Sequence, residues 1–326
     1  MWQRCGVPHV RVQDTKQPLR RGVHRWWFTT EVSRTPELAR RFFDRYEPVH
    51  GITYFAPGVR TVLDAMGFIG FWRGYFAGRV APLGQVPVDV VTAVFYNFSA
   101  ERVHKAVPAI WDIASPAEMV RVRLETAVAA LRGYGLSDET PGVSEAAELA
   151  GLAVRGAPLD GRPLFAANLA LPWPDTALAS LWHASTLLRE HRGDGHVAVL
   201  VSEGINGRES NVFHVAAGAV PADFIKRSRD YSDEEWDACV NSLGERGLLT
   251  PACTLTDTGR ALKDHIELRT DILALSALRV LDDSSVERLF QALTPITRQV
   301  IAGGDLPAAT PMALRRDELD DNSAGL

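Results

Sequence analysis

The amino-acid sequence predicts a mainly α-helical protein in which one helical unit occurs twice, the two copies forming an intrachain pseudo-dimer. Apolar residues recur at helical spacing along most of the chain, while the alternation expected of strands is nearly absent. Identities also recur at a slowly drifting offset. At 137 residues Val62, Leu63, Gly67, Gly70 and Phe76 match Val199, Leu200, Gly204, Gly207 and Phe213. At 134 the pair Val86-Pro87 and Asp89 match Val220-Pro221 and Asp223, and at 133 Ser99, Glu101 and Val107 match Ser232, Glu234 and Val240. So small a drift is what a duplication leaves behind. The length of 326 residues, 46% of them apolar, suits a chain of about two domains.

Composition narrows the function classes. The net charge of −5, from 35 basic and 40 acidic residues, makes the whole chain no obvious polyanion binder. The sequence holds no apolar run of membrane-spanning length and no leader core, so a cytoplasmic protein without a membrane partner is expected. Cys5, Cys239 and Cys253 lack metal-ligand or redox spacing and suit a reducing compartment.

Residues 1–34 carry Arg4, Arg11, Lys16, Arg20, Arg21, Arg25 and Arg34 against Asp14 and Glu31, and read as a flexible basic extension. The first copy spans 35–135. It opens at Thr35-Pro36-Glu37, where threonine can cap, proline suits the first helical position and glutamate suits the positive helix end. Its first helix carries Phe42, Phe43 and Tyr46 before Pro48. Further helices are expected from about Pro57 to Met66, from Phe68 to Val80, after Pro87 through Tyr96, from a Ser99 cap to Pro108, and from Pro116 to Leu131 before Gly133. Residues 136–171, rich in Gly, Pro, Ser and short alanine-rich turns, read as a connector with one short helix. The second copy spans 172–304, and 305–326 reads as an acidic disordered tail. In the run Leu188-Arg189-Glu190-His191-Arg192-Gly193-Asp194-Gly195-His196, Gly193 can stop one helix and Asp194 can cap the next, which predicts a junction crowded with charge.

The second copy shows the nature of the repeated unit. A helix opens after Ser232 with Trp236, Val240 and Leu243 on its apolar face and closes at Gly247-Leu248-Leu249. Thr254 to Gly259 then starts a long helix through Leu262, Ile266 and Leu273. This succession resembles the winged-helix core of MarR-type regulators. The resemblance implies tandem duplicated winged-helix domains, with the helix before Gly247 as the one that enters a DNA groove and the extended piece after it as the wing. The whole chain is also similar to an actinobacterial family of helix-turn-helix proteins, through Glu47-Pro48-Val49-His50, the Gly74 to Gly84 stretch, Phe95-Tyr96-Asn97-Phe98 and the Leu188 to His196 run. That likeness covers Pro36 to Gly304 and implies a fold rather than an activity.

Two departures disfavour DNA as the partner. Residues 232–246 offer Asp233, Glu234, Glu235, Asp237 and Glu245 with Arg246 as the one cation, and Thr250 to Thr256 contains no lysine or arginine. Carboxylates there would repel the phosphates that supply most of such affinity. What the chain concentrates instead is aromatic surface, 13 of its 27 aromatic side chains lying between Phe42 and Phe98. Gly70, Gly74 and Gly78, four apart, strip side chains from one helix face and leave room for a flat guest or a close helix crossing.

The sequence therefore points to a small-molecule site between the copies, taking an aromatic or amphipathic ligand. Its candidate residues are Glu47, His50, Tyr54, Trp72, Tyr75, Phe76, Arg79, Tyr96, His183, Glu190, His191 and His196, with Arg79, Arg189 and Arg192 as anchors for an acidic group. A metal or haem on His50, His191 or His196 is conceivable, although no His-Glu-x-x-His, paired Glu-x-x-His or cysteine cluster marks one. A ligand-responsive, MarR-like DNA-binding regulator is the runner-up. The third reading is an enzyme of specialised metabolism, whose catalytic residues no sequence motif identifies. Either a monomeric pseudo-dimer or a homodimer is compatible with the pattern.

Overall fold

The computed structural model describes residues 34–307, 314–319 and 321–326. Among them the secondary structure is helical, and the only β pairing is a single antiparallel bridge, Leu249 to Leu255. Apart from Arg34, which donates to the Leu281 carbonyl and to Asp283, the basic extension lies outside the described residues.

Helix α1 (Pro36–Phe55) starts on its proline. Thr35 is extended but its hydroxyl caps nothing, so the fixed φ of Pro36, not a threonine cap, sets the start. Pro48 lies inside the helix without ending it, on a stretch buried from Phe42 to Ile52 apart from the half-open helix start. What stops α1 is the next proline: Ala56 is forced to ψ 126°, and α2 (Pro57–Ala65) begins afresh. Helices α3 (Phe71–Val80), α4 (Val88–Val94), α5 (Ala100–Ile110) and α6 (Pro116–Gly133) follow, with the Ser99 and Ser115 hydroxyls capping the last two.

The stretch read as a connector is largely helical. Helix α7 (Val143–Arg155) and the short α8 (Pro163–Leu169) both pack on α9 (Ala177–Ser202), because Ala146, Ala147, Ala150 and Ala153 give α7 a flat face that can lie close to a neighbour. Alanine-rich sequence here marks a tight helix crossing, not a turn. The described parts of the tail are also packed: Leu306, Leu319 and Ala324 are buried, and Arg315 donates to Asp44 on α1.

The expected junction at Gly193-Asp194-Gly195 is absent, and α9 runs 26 residues straight through it. Two glycines in a helix interior each cost about 1 kcal/mol. Here α8 and the residue before it use Asp194 and the second glycine. Asp194 accepts from the Phe165 backbone N–H at 2.9 Å and so caps α8 rather than its own helix. Gly195 leaves the space taken by the Arg162 guanidinium, which donates to the His191 carbonyl.

The chain continues through α10 (Gly207–Ala216), α11 (Ala222–Arg229), α12 (Asp233–Glu245), α13 (Asp257–Ala274) and α14 (Asp283–Ala302). Residues after α2 and after α9 turn alike. Gly67 N–H donates to Asp64 and Phe68 to Leu63 at 3.0 and 2.9 Å; Gly204 donates to Val201 and Ile205 to Leu200 at 3.2 and 3.0 Å. Both glycines have positive φ, and Phe68 and Ile205 are both buried. Pro87 and Pro221 precede α4 and α11, Ser99 and Ser232 cap α5 and α12, and α6 and α13 are 18 residues each. Three buried clusters result, one centred on α1, α7, α9 and α14, one under α3 to α6, and one under α10 to α13.

Candidate functional site

A cavity of about 870 Å³ opens between α1, α3, α4, α9, α10, α11 and α13. Phe71, Trp72, Tyr75 and Arg79 reach it from α3, where the helical repeat sets them on one side. Phe95 and Tyr96 close the same wall from the end of α4, with Trp72 and Tyr75 in edge contact at 5.3 Å. Tyr96, at φ 20°, donates its hydroxyl to the Ile205 carbonyl at 2.6 Å and so ties this wall to the turn before α10. Gly207 lies against the Tyr96 carbonyl with no space for a Cβ.

An ionic cluster adjoins these rings. Arg79 grips Glu190 through Nε and Nη2 at 3.2 and 2.9 Å, its Nη1 donates to the Tyr75 hydroxyl, and its Cζ lies 4.6 Å from the Phe95 ring centre. Arg189 donates to Glu190 at 2.9 Å and stands 3.9 Å from Glu47. Burial alone would raise the Glu190 carboxyl, but Arg189 and Arg79 hold it at about 2. Glu47 is the contrast: it is fully buried, neither carboxyl oxygen has a hydrogen-bond partner, and burial pushes it up to about 7. Arg192 is taken by Asp271 at 2.6 Å.

Of the sequence-predicted residues, Glu47, Tyr54, Trp72, Tyr75, Arg79, Tyr96, Glu190 and His196 line this cavity. His50 lines a smaller chamber beside it, while Phe76, His183 and His191 line neither. Phe76 is core, packed against Phe95 and Phe98; His183 meets the edge of Trp173; His191 meets Phe165 and Ser276. His191 and His196 lie on one continuous helix and face different neighbours.

Hydrogen bonding assigns the histidine tautomers. Thr270 spends its hydroxyl proton on the Ile266 carbonyl, so His196 Nδ1 donates to Thr270 Oγ1 at 2.9 Å and keeps Nε2 as an acceptor. In the same way Thr186 donates to Trp182, so His50 Nδ1 donates to Thr186 and Nε2 accepts from the Tyr54 hydroxyl. Burial depresses His183, His191 and His196 to about 4, 3 and 4. Among the described residues no group of three or more His, Cys, Asp or Glu side chains could hold a metal ion.

The anchors expected for an acidic ligand group, Arg79, Arg189 and Arg192, all face carboxylates of the protein. The residue that sequence reasoning missed is Arg229, the last of α11. It lines the cavity at 8% exposure, has no carboxylate within ion-pair distance among the described residues, and rests 4.2 Å from the Phe98 ring centre and 5.3 Å from Trp72. Its Nε has no partner. No local signal distinguishes it from Arg227, because its setting is made by residues over 120 positions away.

Helices α11 and α12 form a helix-turn-helix followed by the short hairpin of Leu249 to Leu255. Asp233, Glu234, Asp237 and Glu245 are exposed on α12, and the exposed hairpin tip, Pro251 to Thr254, carries no cation. At the start of α5 Arg102 is paired with Asp230, the residue that ends α11. Fold and site together define a mainly helical protein with a helix-turn-helix and a large cavity. The profile of a family described as Helix-turn-helix family matches residues 39–307, and the chain belongs to that family. No curated protein and no solved structure matches it. Among the described residues no helix is long and apolar enough to cross a membrane.

Proposed function

We propose that the chain is a small-molecule-binding protein on a tandem, distantly MarR-like winged-helix scaffold, with its ligand in the cavity between the two copies. The observation that carries this reading is a cavity of about 870 Å³ with one aromatic wall and a buried arginine, Arg229, that no carboxylate among the described residues occupies. That volume suits a drug-sized guest. The ligand is aromatic or amphipathic: its flat body lies against Trp72, Tyr75 and Tyr96, and an acidic group meets Arg229.

The duplicated architecture is supported by the matching turns at Gly67 and Gly204, the paired caps, and a symmetric pattern of packing. Helix α1 packs on α9 and α7 on α14, while α1 reaches α13 as α9 reaches α6. On this reading α9 corresponds to α1 and α2 fused, and residues 59–111 lie over 196–243 by a near-twofold rotation. Monomer is the expected state, since the pseudo-dimer already supplies both halves of the cavity.

Family membership favours a second reading, a ligand-responsive DNA-binding regulator using the same cavity as its sensor. Against it stand the acidic face of α12 and the pairing of Arg102 within the protein. Native mass spectrometry of the freshly purified full chain tests the first reading. It should show a 1:1 adduct of roughly a few hundred daltons, released on denaturation. A bare mass, together with nanomolar binding to a defined operator at physiological salt, would put the regulator first.

A further inference from the structure

Where the protons of its polar side chains go decides what the large cavity offers a guest. Asn211 of α10 lines it. The Asn211 Nδ2 carries two protons and both are taken, one by the Asn97 carbonyl at 2.9 Å and one by the Tyr231 hydroxyl at 3.1 Å. Tyr231 accepts there because its own proton goes to the Arg208 carbonyl. Turning the amide over would set Oδ1 against the Asn97 carbonyl, acceptor against acceptor, so its orientation is fixed. Oδ1 is left as an acceptor on which no donor acts among the described residues.

His196 of α9 and Ser210 of α10 are half-buried, line the same cavity and come to the same state. His196 gives its one ring proton to Thr270, and burial holds it at about 4, so the ring is neutral and Nε2 presents a lone pair. Ser210 gives its hydroxyl proton to the Gly207 carbonyl at 2.7 Å. Asn211 Oδ1 and His196 Nε2 both retain surface that the protein does not cover. Lys263, a cation of α13 on the same cavity, is held by Glu267 and meets neither atom. Water reaches such acceptors when no guest is bound, whereas a guest covers them. An apolar face laid over them leaves them unanswered, at a cost that a guest O–H or N–H avoids. Penalties of this kind reject a wrong guest more sharply than lost packing does.

Resting on the large cavity as the ligand site, we propose that the ligand is an aromatic acid bearing hydroxyl or amino groups, whose O–H or N–H protons go to Asn211 Oδ1 and His196 Nε2 while its acidic group meets Arg229. The site then selects by donors as well as by shape: a phenol is accepted and its methyl ether, with the same ring and the same acid, is disfavoured.

Calorimetric titration of the full chain with the positional isomers of hydroxynaphthalene sulfonate, each paired with its methyl ether, reads this selection. At least one isomer should bind about tenfold tighter than its ether. That ratio should fall toward one in His196→Phe for isomers that reach α9, and in Asn211→Ala for isomers that reach α10. Asn211→Ala also leaves the Asn97 carbonyl without its donor and lowers stability, but a purely structural role would weaken phenol and ether alike and leave their ratio unchanged. His196→Phe fills the same space with a ring and carries the test if the alanine variant fails to fold. Ethers that bind as tightly as the phenols throughout the series, or a preference that survives both variants, would overturn the proposal and leave the cavity as a ligand site. Binding of neither kind of probe would overturn the cavity reading and the proposal with it.

Discussion

The turn from α2 to α3 and the turn from α9 to α10 close with equivalent backbone hydrogen bonds, yet the residues that follow them line the cavity with different chemistry. On the first side Phe71, Trp72 and Tyr75 follow the turn, and on the second Ser210, Asn211 and His214 take that place. Backbone geometry at such a turn is set by a glycine with positive φ and a buried residue after it, which leaves the outward positions free to diverge. The same split separates two arginines of the cavity. Arg79 is bound to a carboxylate of the protein and shapes the wall, whereas Arg229 lines the space with no carboxylate among the described residues paired to it. Pairing, not position in the sequence, decides which cation is available to a ligand.

The strongest way to break this comparison is at the paired glycines. Gly207 presses on the Tyr96 carbonyl, whereas nothing lies within 4 Å of a Cβ built on Gly70, whose requirement is its φ of 89°. Gly207→Ala should lower stability by about 3 kcal/mol or more through overpacking. Gly70→Ala should cost about 2 kcal/mol through backbone strain. Denaturant unfolding of both variants compares them, and equal small effects would mean the two sides are not clamped through Tyr96.

Glu47 offers a pH test of the ionic wall. Its carboxyl is raised to about 7 from an ordinary value of 4.5, so its contribution is fully present below about pH 4.5 and is lost as pH rises toward 7. Glu47→Gln should therefore gain on the wild type across that window, by up to about 3 kcal/mol above pH 7. The depressed histidines act in the opposite sense: their stability is full above about pH 6.5 and falls as pH drops toward 4. Taking the difference between the two proteins at each pH removes that shared background. A difference that does not change with pH would mean Glu47 is ionised and compensated.

The available arginine can be compared with the bound one by using anilinonaphthalene sulfonate, an aromatic probe with one acidic group. Arg229→Gln should weaken it by about 10- to 100-fold while barely moving the melting temperature. Arg79→Gln should instead cost stability, since it leaves part of the charge on Glu190 unanswered. The smallest effect belongs to the histidines. His196→Ala should weaken the probe about three- to tenfold, and His191→Ala should lower stability and leave the affinity of the folded protein unchanged.

Much of this arrangement was legible in the sequence where the signal is local. The aromatic wall follows helical spacing from Phe71 to Arg79, and the Ser99 and Ser232 caps sit where they were expected. The junction at Gly193-Asp194-Gly195 was misread because glycine permits a helix to stop without forcing it, while Pro57, between α1 and α2, does force it. Helix α7 was missed although Val143, Ala146, Ala147, Ala150, Ala153 and Val154 recur at helical spacing against exposed Ser144, Glu145, Glu148 and Arg155, because the glycines and prolines on either side drew the whole stretch into a connector. The pairing of Arg79 with Glu190 spans 111 positions and the setting of Arg229 still more, so neither the occupied nor the open arginine could be told apart before the helices were assembled.

A crystal structure of the full chain with anilinonaphthalene sulfonate bound tests the central claim most directly, because it asks where an aromatic acid goes when every surface is offered. The account predicts its rings in the large cavity against Trp72 and Tyr96, with the sulfonate on Arg229 and the Arg79 to Glu190 pair undisturbed. Density confined to the protein surface, or a sulfonate that displaces Glu190 from Arg79 while Arg229 stays bare, would contradict it.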